Sequence, residues 1–90
     1  MAVTNLQVKP GDVIWFAPWQ RYGVPITHSE RLFAVWQEVS AEVVVKKVTV
    51  FESNSGWAAQ IPGIWDVTGC VTMGVAESSA ERFVVARWSP

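Results

Sequence analysis

The clearest hydrophobic pattern in the chain runs over residues 64–76. Apolar residues alternate there with polar or small ones, so that Trp65 and Val71 fall on one face of an extended segment. A period of two is typical of a β-strand with one face in a core. Gly69 and Gly74 carry no side chain that could pack, so we expect the strand to bend or bulge at these positions.

Three further strands are predicted with less regular patterns, over residues 12–17, 43–51 and 82–88. Residues 43–51 place apolar side chains on both faces, which indicates a central strand or one that is covered on both sides. Clusters of Ser, Asn, Gly and Glu predict turns over residues 52–56 and 77–79.

One segment, near residues 28–40, is predicted to be a helix. Thr27 and Glu30 have the spacing of a capping box, in which each side chain bonds to the backbone N–H of the other residue. Apolar residues follow at helical spacing, at Leu32, Val35, Trp36 and Val39. A strand over the same residues fits less well, because Gln37 interrupts its apolar face.

Composition supports a fold that is mostly β. The chain has 16 Val, 4 Ile and 5 Thr, but only 2 Leu and 2 Met. β-branched side chains lose rotamer freedom in helices and fit the pleated surface of a sheet. Ninety residues without an internal repeat or linker make a single domain, residues 1–90. We therefore expect an α+β fold, with a small curved antiparallel sheet or open barrel and one helix.

Charge and apolar content exclude several classes of protein. Half of the residues are hydrophobic, 17% are charged and the net charge is −1, which argues against disorder and against nucleic-acid binding. The longest apolar run, residues 13–19, is far shorter than the roughly 20 residues that cross a bilayer. Residues 1–12 do not resemble a signal peptide. Cys70 is the single cysteine and cannot form an internal disulfide, which fits a reducing compartment. Together with the short apolar run and the unmatched signal-peptide pattern, this predicts a soluble cytoplasmic protein.

Six tryptophans are the most unusual feature of so small a chain. Trp15, Trp36 and Trp65 occupy positions that we assign to the core. Trp19 and Trp57 lie in loops or at strand starts instead. Trp, Tyr and Arg are the residue types that dominate binding hot spots. The predicted binding or interface residues are Trp19, Arg21, Tyr22 and Trp57.

Two alternatives remain for these aromatic residues. Trp19 and Trp57 could fold back as lids over an open sheet. Together with Tyr22 they could also stack on a sugar or another flat ligand, with Asn54 and Asp66 as polar partners.

Catalytic and metal-binding signals are weak. One His and one Cys without ligand spacing do not make a metal site, and no cofactor motif is present. An enzyme that uses Cys70 with His28, or a pair of Asp or Glu residues, is a remote alternative; a buried structural thiol explains Cys70.

We expect Glu77 and Glu81 to lie in a solvated turn. Lys46 and Lys47 are interpreted as charges that protect a sheet edge.

The sequence therefore favours a small non-enzymatic interaction module. Its apolar content is high for its size, and surplus hydrophobic surface is usually covered by another chain. A homodimer or higher homo-oligomer is the simplest cover. A small barrel that binds a ligand is the alternative.

Overall fold

A computed structural model describes residues 8–89. The predicted absence of a signal peptide rests mainly on residues 1–7, which lie outside this range. The described elements are six strands followed by one helix: β1 (Val13–Trp15), β2 (Gln20–Tyr22), β3 (His28–Gln37), β4 (Glu42–Ser53), β5 (Gly56–Ile61), β6 (Trp65–Cys70) and α1 (Met73–Trp88).

All six strands belong to one antiparallel sheet that does not close into a barrel. The spatial order is β1-β3-β4-β5-β6, and β2 also pairs with β3. From β3 to β6 the strands follow one another as consecutive hairpins, and α1 comes after the last of them. The predicted α+β class, with a small antiparallel sheet and one helix, is confirmed.

The edge beside β3 is formed by two short strands. β1 pairs with residues 33–35 of β3, and β2 pairs with residues 28–30. Residues 16–19 separate them, so this edge of the sheet is interrupted.

The helix α1 is capped by Thr72, whose hydroxyl accepts a hydrogen bond from the Val75 backbone N–H at 3.2 Å. A Thr at this position satisfies one of the free N–H groups of the first turn. Ala76, Ala80 and Val84 recur every four residues and are fully buried. Their small side chains let α1 pack closely on β4, β5 and β6.

The face of the sheet under α1, the covered face, carries the core. Its buried members from β3, β4 and β5 alternate along each strand, as a pleated sheet requires. The core cluster contains Phe33, Val35, Val48, Val50, Ala59, Ile61, Cys70, Ala76, Ala80 and Val84. Aromatic contacts add to it: Phe83 of α1 stacks on Trp65 at 4.8 Å, and Trp88 packs against Phe33 at 5.6 Å. Trp15 also packs on this cluster, as predicted for a core residue.

The opposite face, the open face, has no described element over it. All strands lie in the one sheet, and α1 covers the other side. Leu32, Ala34 and Trp36 project to the open face, because they alternate with Phe33 and Val35 of the core.

The predicted helix at residues 28–40 is wrong, because residues 28–37 form the strand β3. Apolar side chains on both faces of β3 also match the helical spacing, so the pattern does not distinguish the two structures. The backbone of Thr27 bonds to Tyr22 and Glu52 instead of starting a helix.

The strand prediction for residues 64–76 is correct only as far as Cys70. The pairing of β5 and β6 shifts by one residue, next to Gly69 with its positive φ of 75°, as predicted for a bulge. Val71 lies beyond the strand and is 85% exposed, so its assignment to the core is wrong. The strand predicted at residues 82–88 and the turn at 77–79 are both part of α1.

The predicted strand at residues 43–51 and the turn after it are confirmed by β4 and the tight β4–β5 hairpin. β4 is a central strand between β3 and β5. Lys46 and Lys47 therefore do not protect an edge, which corrects that interpretation. They project to opposite faces, and Lys47 lies on the open one.

Candidate functional site

The four residues predicted to form a binding surface do not lie on one face. Arg21 and Trp57 project to the covered face, and Trp19, which precedes β2, also packs on the core. Tyr22 lies on the open face, where its ring stacks on His28 at 4.9 Å. Trp19 and Trp57 are both half-buried.

A polar network at one side of the covered face uses most of these groups. Glu77 accepts hydrogen bonds from Arg21 at 2.8 Å and from the hydroxyl of Ser29 at 2.9 Å. One turn later in α1, Glu81 accepts from the Trp19 indole N–H at 2.8 Å and from Arg31. The two glutamates therefore fasten α1 to β2, β3 and the segment that precedes β2.

The charged groups of this network are engaged with one another in ion pairs and hydrogen bonds. The Arg31 guanidinium also donates to the Ala17 carbonyl and lies 4.4 Å from the centre of the Trp15 ring. Every buried polar side-chain atom within residues 8–89 has a hydrogen-bond partner. Glu77 and Glu81 are thus structural ligands of arginine and not members of a solvated turn, which corrects the prediction from sequence.

The remote catalytic pair is separated by the sheet. Cys70 is buried in the core of the covered face, whereas His28 stacks on Tyr22 on the open face. His28 lies in β3, not in the first turn of a helix. No group of three or more metal-ligating side chains occurs in the described part of the chain.

The open face has two apolar regions at opposite ends of β3 and β4. The first, the apolar end, lies next to the β3–β4 turn, and its side chains follow from the strand register. It consists of Ile14, Leu32, Ala34, Trp36, Val43 and Val45. Trp36, predicted to be a core residue, is half-buried here and does not join the core cluster.

The second apolar region, the aromatic end, lies at the other end of β3. His28 is paired with Tyr22 on one side and with Phe51 on the other, so three aromatic rings form one row across the sheet.

A group of polar side chains, the polar band, lies between the two ends. It consists of Gln20, Glu30, Thr49 and Gln60, which form one row across the sheet, and of Lys47, which lies in the next row opposite Leu32 of the apolar end. The Lys47 ammonium lies 3.5 Å from a Glu30 carboxylate oxygen, and 48% of the Lys47 side chain and 30% of the Glu30 side chain are exposed. Both side chains of this ion pair are therefore in contact with solvent.

A shallow cavity of about 260 Å³ lies beside the polar band, at the interruption between β1 and β2. Ligand pockets usually occupy about 300–1,000 Å³ and present convergent polar groups. Here the charged groups are already paired, Glu30 with Lys47 and Arg31 with Glu81. The cavity therefore has little to offer a small polar ligand.

Sequence reasoning missed the open face, although its signal was present. The alternation of Leu32, Ala34 and Trp36 with Phe33 and Val35 is that of a strand with two apolar faces. A helical interpretation of residues 28–40 merges the two sets into one stripe and hides the second face.

No helix within residues 8–89 has both the length and the apolar character needed to span a membrane. Comparison of the chain with protein-family models, with curated proteins and with solved structures finds no match.

Proposed function

We propose that this protein is a small non-enzymatic interaction module that self-associates through the open face. The observation that carries the proposal is the apolar end, a group of Val, Ile, Leu and Trp side chains on the side of the sheet that α1 does not cover. Its larger side chains are half-buried, and Ala34 between them is fully buried. Exposed apolar patches larger than a few hundred Å² mark interaction sites in soluble proteins.

A second copy of the chain is the occupant that the surface favours. Symmetric homo-oligomers are the commonest assemblies, and their two-fold interfaces need a surface that is complementary to itself. The polar band meets this need, since Glu30 and Lys47 supply one charge of each sign side by side.

The edges of the sheet favour association through the face. One edge is interrupted between β1 and β2, and the other is β6, which has six residues and a bulge at its pairing with β5. Short or bulged edges are poor templates for strand addition. Two sheets packed face to face, about 10 Å apart, would instead bury the apolar end.

Trp19 and Trp57 do not contribute to the proposed interface, because they lie on the covered face. The aromatic contribution comes from Trp36 and from the aromatic end, which includes Tyr22. A single buried cysteine fits a reducing compartment, and we propose the cytoplasm.

Sedimentation equilibrium tests the proposal. Wild-type protein should form dimers at micromolar concentration, and Val45→Lys should be monomeric because it places a charge within the apolar end. Val85→Lys is the control, since Val85 lies on the outer side of α1 and is 51% exposed. Trp36→Ala serves as a second interface variant, and far-UV circular dichroism verifies the fold of each.

A wild-type chain that remains monomeric at high micromolar concentration would overturn the proposal. So would a Val45→Lys variant that is folded and associates as tightly as the Val85→Lys control.

The second candidate is a binding module for a flat ligand such as a sugar. It is favoured by the aromatic end, where the planes of Tyr22 and His28 are only 16° apart and Phe51 continues the row. A fluorescence titration of the monomeric Val45→Lys variant with a panel of sugars and nucleotides tests it, with Tyr22→Ala as control.

A further inference from the structure

We infer that a cavity at one end of the sheet binds a small zwitterion, a free amino acid with an apolar side chain. The cavity has a volume of about 350 Å³ and lies where the turn before β1, the end of β3 and the last turn of α1 meet. Its lining includes Gly11, Trp36, Gln37, Glu38, Arg87 and Trp88. This site goes beyond the proposed self-association and does not depend on it.

The charged groups of this cavity distinguish it from the smaller cavity beside the polar band. Its volume falls within the roughly 300–1,000 Å³ that ligand pockets usually occupy. The ion pairs found within residues 8–89 involve neither Glu38 nor Arg87. Both side chains are exposed, so both charges are available to a ligand.

The wall that α1 provides is held in place by the core. The Trp88 ring packs against Phe33 at 5.6 Å and against Phe83 at 6.3 Å. The Arg87 guanidinium lies 5.1 Å from the centre of the Trp88 ring, which is within the range of a cation–π contact. A guanidinium positioned on an anchored ring loses little freedom when it binds, and it can donate two parallel hydrogen bonds to a carboxylate. Arg87 is therefore the partner for the carboxylate of the ligand.

The other walls come from the turn before β1 and from the end of β3. The Asp12 backbone N–H donates to the Lys9 carbonyl at 2.9 Å, and Gly11 has a φ of 88°, as the third residue of a type II turn requires. β1 pairs with β3 only as far as residue 35, and Glu38 follows the end of β3 at the start of the β3–β4 turn. Glu38 is therefore the partner for the ammonium of the ligand.

Charge complementarity selects the class of ligand. Glu38 and Arg87 line the same cavity without pairing with each other, so a ligand that carries one charge of each sign gives both of them a partner. A ligand with a single charge would be attracted to one of these groups and repelled by the other. An α-amino acid carries its ammonium and its carboxylate on the same carbon. Trp36 and Trp88 favour an apolar side chain on that carbon.

Isothermal titration calorimetry with leucine and phenylalanine tests this inference. Their carboxamides lack the carboxylate, and 4-methylpentanoate and 3-phenylpropanoate lack the ammonium. The amino acids should bind, and each analogue should bind about tenfold more weakly, since it leaves one charged group of the cavity without a partner. The titrations use wild type and the Val45→Lys variant, so the result does not depend on whether the protein self-associates.

Two variants assign each charge of the ligand to its partner. Arg87→Gln should weaken binding of the amino acid about tenfold and remove the difference between the amino acid and its carboxamide. Glu38→Gln should remove the difference between the amino acid and the analogue without an ammonium. Arg82→Gln is the matched control, because it makes the same change at an exposed arginine of α1 outside the lining of this cavity. It should bind like wild type, and far-UV circular dichroism verifies the fold of each variant.

Wild-type protein that binds neither amino acid at millimolar concentration would overturn the inference. Analogues that bind as tightly as the amino acids would do the same, as would an Arg87→Gln variant that binds as tightly as the Arg82→Gln control. None of these results measures dimerisation, so they leave the proposed self-association to its own test.

Discussion

The two faces of the sheet carry the same kinds of side chain, but these side chains are buried to different extents. On the covered face, Phe33, Val35, Val48 and Val50 are fully buried under α1. On the open face, Leu32, Trp36 and Val45 are only half-buried, and the buried residues there are the small Ala34 and Ala58. The difference comes from α1, since the register of β3 and β4 distributes apolar residues to both sides.

Charges are also distributed differently on the two faces. The charges of the network on the covered face lie at its side, where Glu77 and Glu81 bind arginines of the sheet. The open face carries Glu30 and Lys47 between its two apolar regions. The charges at the side of the core connect α1 to the sheet, whereas the charges on the open face lie between its two apolar regions.

The largest expected effect is the loss of folding when a charge is placed at a buried position, compared with the same substitution at an exposed position. Val48→Asp should unfold the domain, because the carboxylate would be buried in the core without a partner. Val71→Asp makes the same change at an 85% exposed residue and should leave the fold intact. Far-UV circular dichroism and urea denaturation compare the two; equal loss of structure would contradict the assignment of Val71 to the surface.

A matched pair on β4 compares the two faces directly. Val48→Ala should lower the free energy of unfolding by roughly 2–3 kcal/mol, since it removes buried methyl groups and leaves a cavity. Val45→Ala, three residues earlier and on the open face, should cost about 1 kcal/mol at concentrations where the protein is monomeric. It should also weaken the proposed dimer, which Val48→Ala should not do while the protein is folded. If Val45→Ala destabilised the monomer as much as Val48→Ala, the open face would already be covered within one chain.

The polar network predicts a coupling between β2 and α1. Arg21→Ala should cost about 1–2 kcal/mol, because it leaves the nearly buried Glu77 carboxylate with only the Ser29 hydroxyl as partner. Glu77→Gln keeps an acceptor for Ser29 but removes the charge. Arg21→Ala should therefore cost much less in a Glu77→Gln background. Urea denaturation of the four proteins measures the coupling, and additive costs would show that the ion pair contributes nothing.

The smallest expected effect is at the start of α1. Thr72→Ala should destabilise the protein by about 1 kcal/mol, since it removes the acceptor for the Val75 N–H. Thr72→Asp keeps an acceptor and adds a negative charge to a first turn that has no acidic residue, so it should match or exceed wild-type stability. Thermal unfolding checks both; equal loss in the two variants would mean that the cap does not contribute.

Sequence patterns predicted the parts of the fold that local chemistry determines. The β4 strand, the turn after it and the bulge beside Gly69 follow from β-branched residues, from Ser, Asn and Gly in the turn, and from a glycine that tolerates positive φ.

The position of the helix could not be predicted by the same reasoning. α1 has apolar side chains on its outer side, such as Val75 and Val85, which obscure the repeat of Ala76, Ala80 and Val84. The repeat and the Thr72 cap were visible signals, but alternating valines before residue 76 favoured a strand. In β3 the error was the reverse, since apolar residues on both faces imitated a helix.

The candidate site depends on tertiary structure even more than the helix does. That Glu30 and Lys47 are neighbours follows only from the register of β3 and β4, and that their face is open follows only from where α1 packs. Tyr22, Trp19 and Arg21 were predicted as binding residues from their residue types and their position along the chain. Tyr22 lies on the open face, whereas Trp19 and Arg21 bind α1.

The order of the elements along the chain also affects how the protein emerges from the ribosome. The hairpins β3 to β6 bring together strands that are neighbours in sequence, so they can pair as soon as they are synthesised. The helix that covers Val48, Val50 and Ala59 is translated only after β6. Until it arrives, the nascent sheet exposes apolar side chains on both sides, and a chain halted before Thr72 would keep both of them available to chaperones or to aggregation.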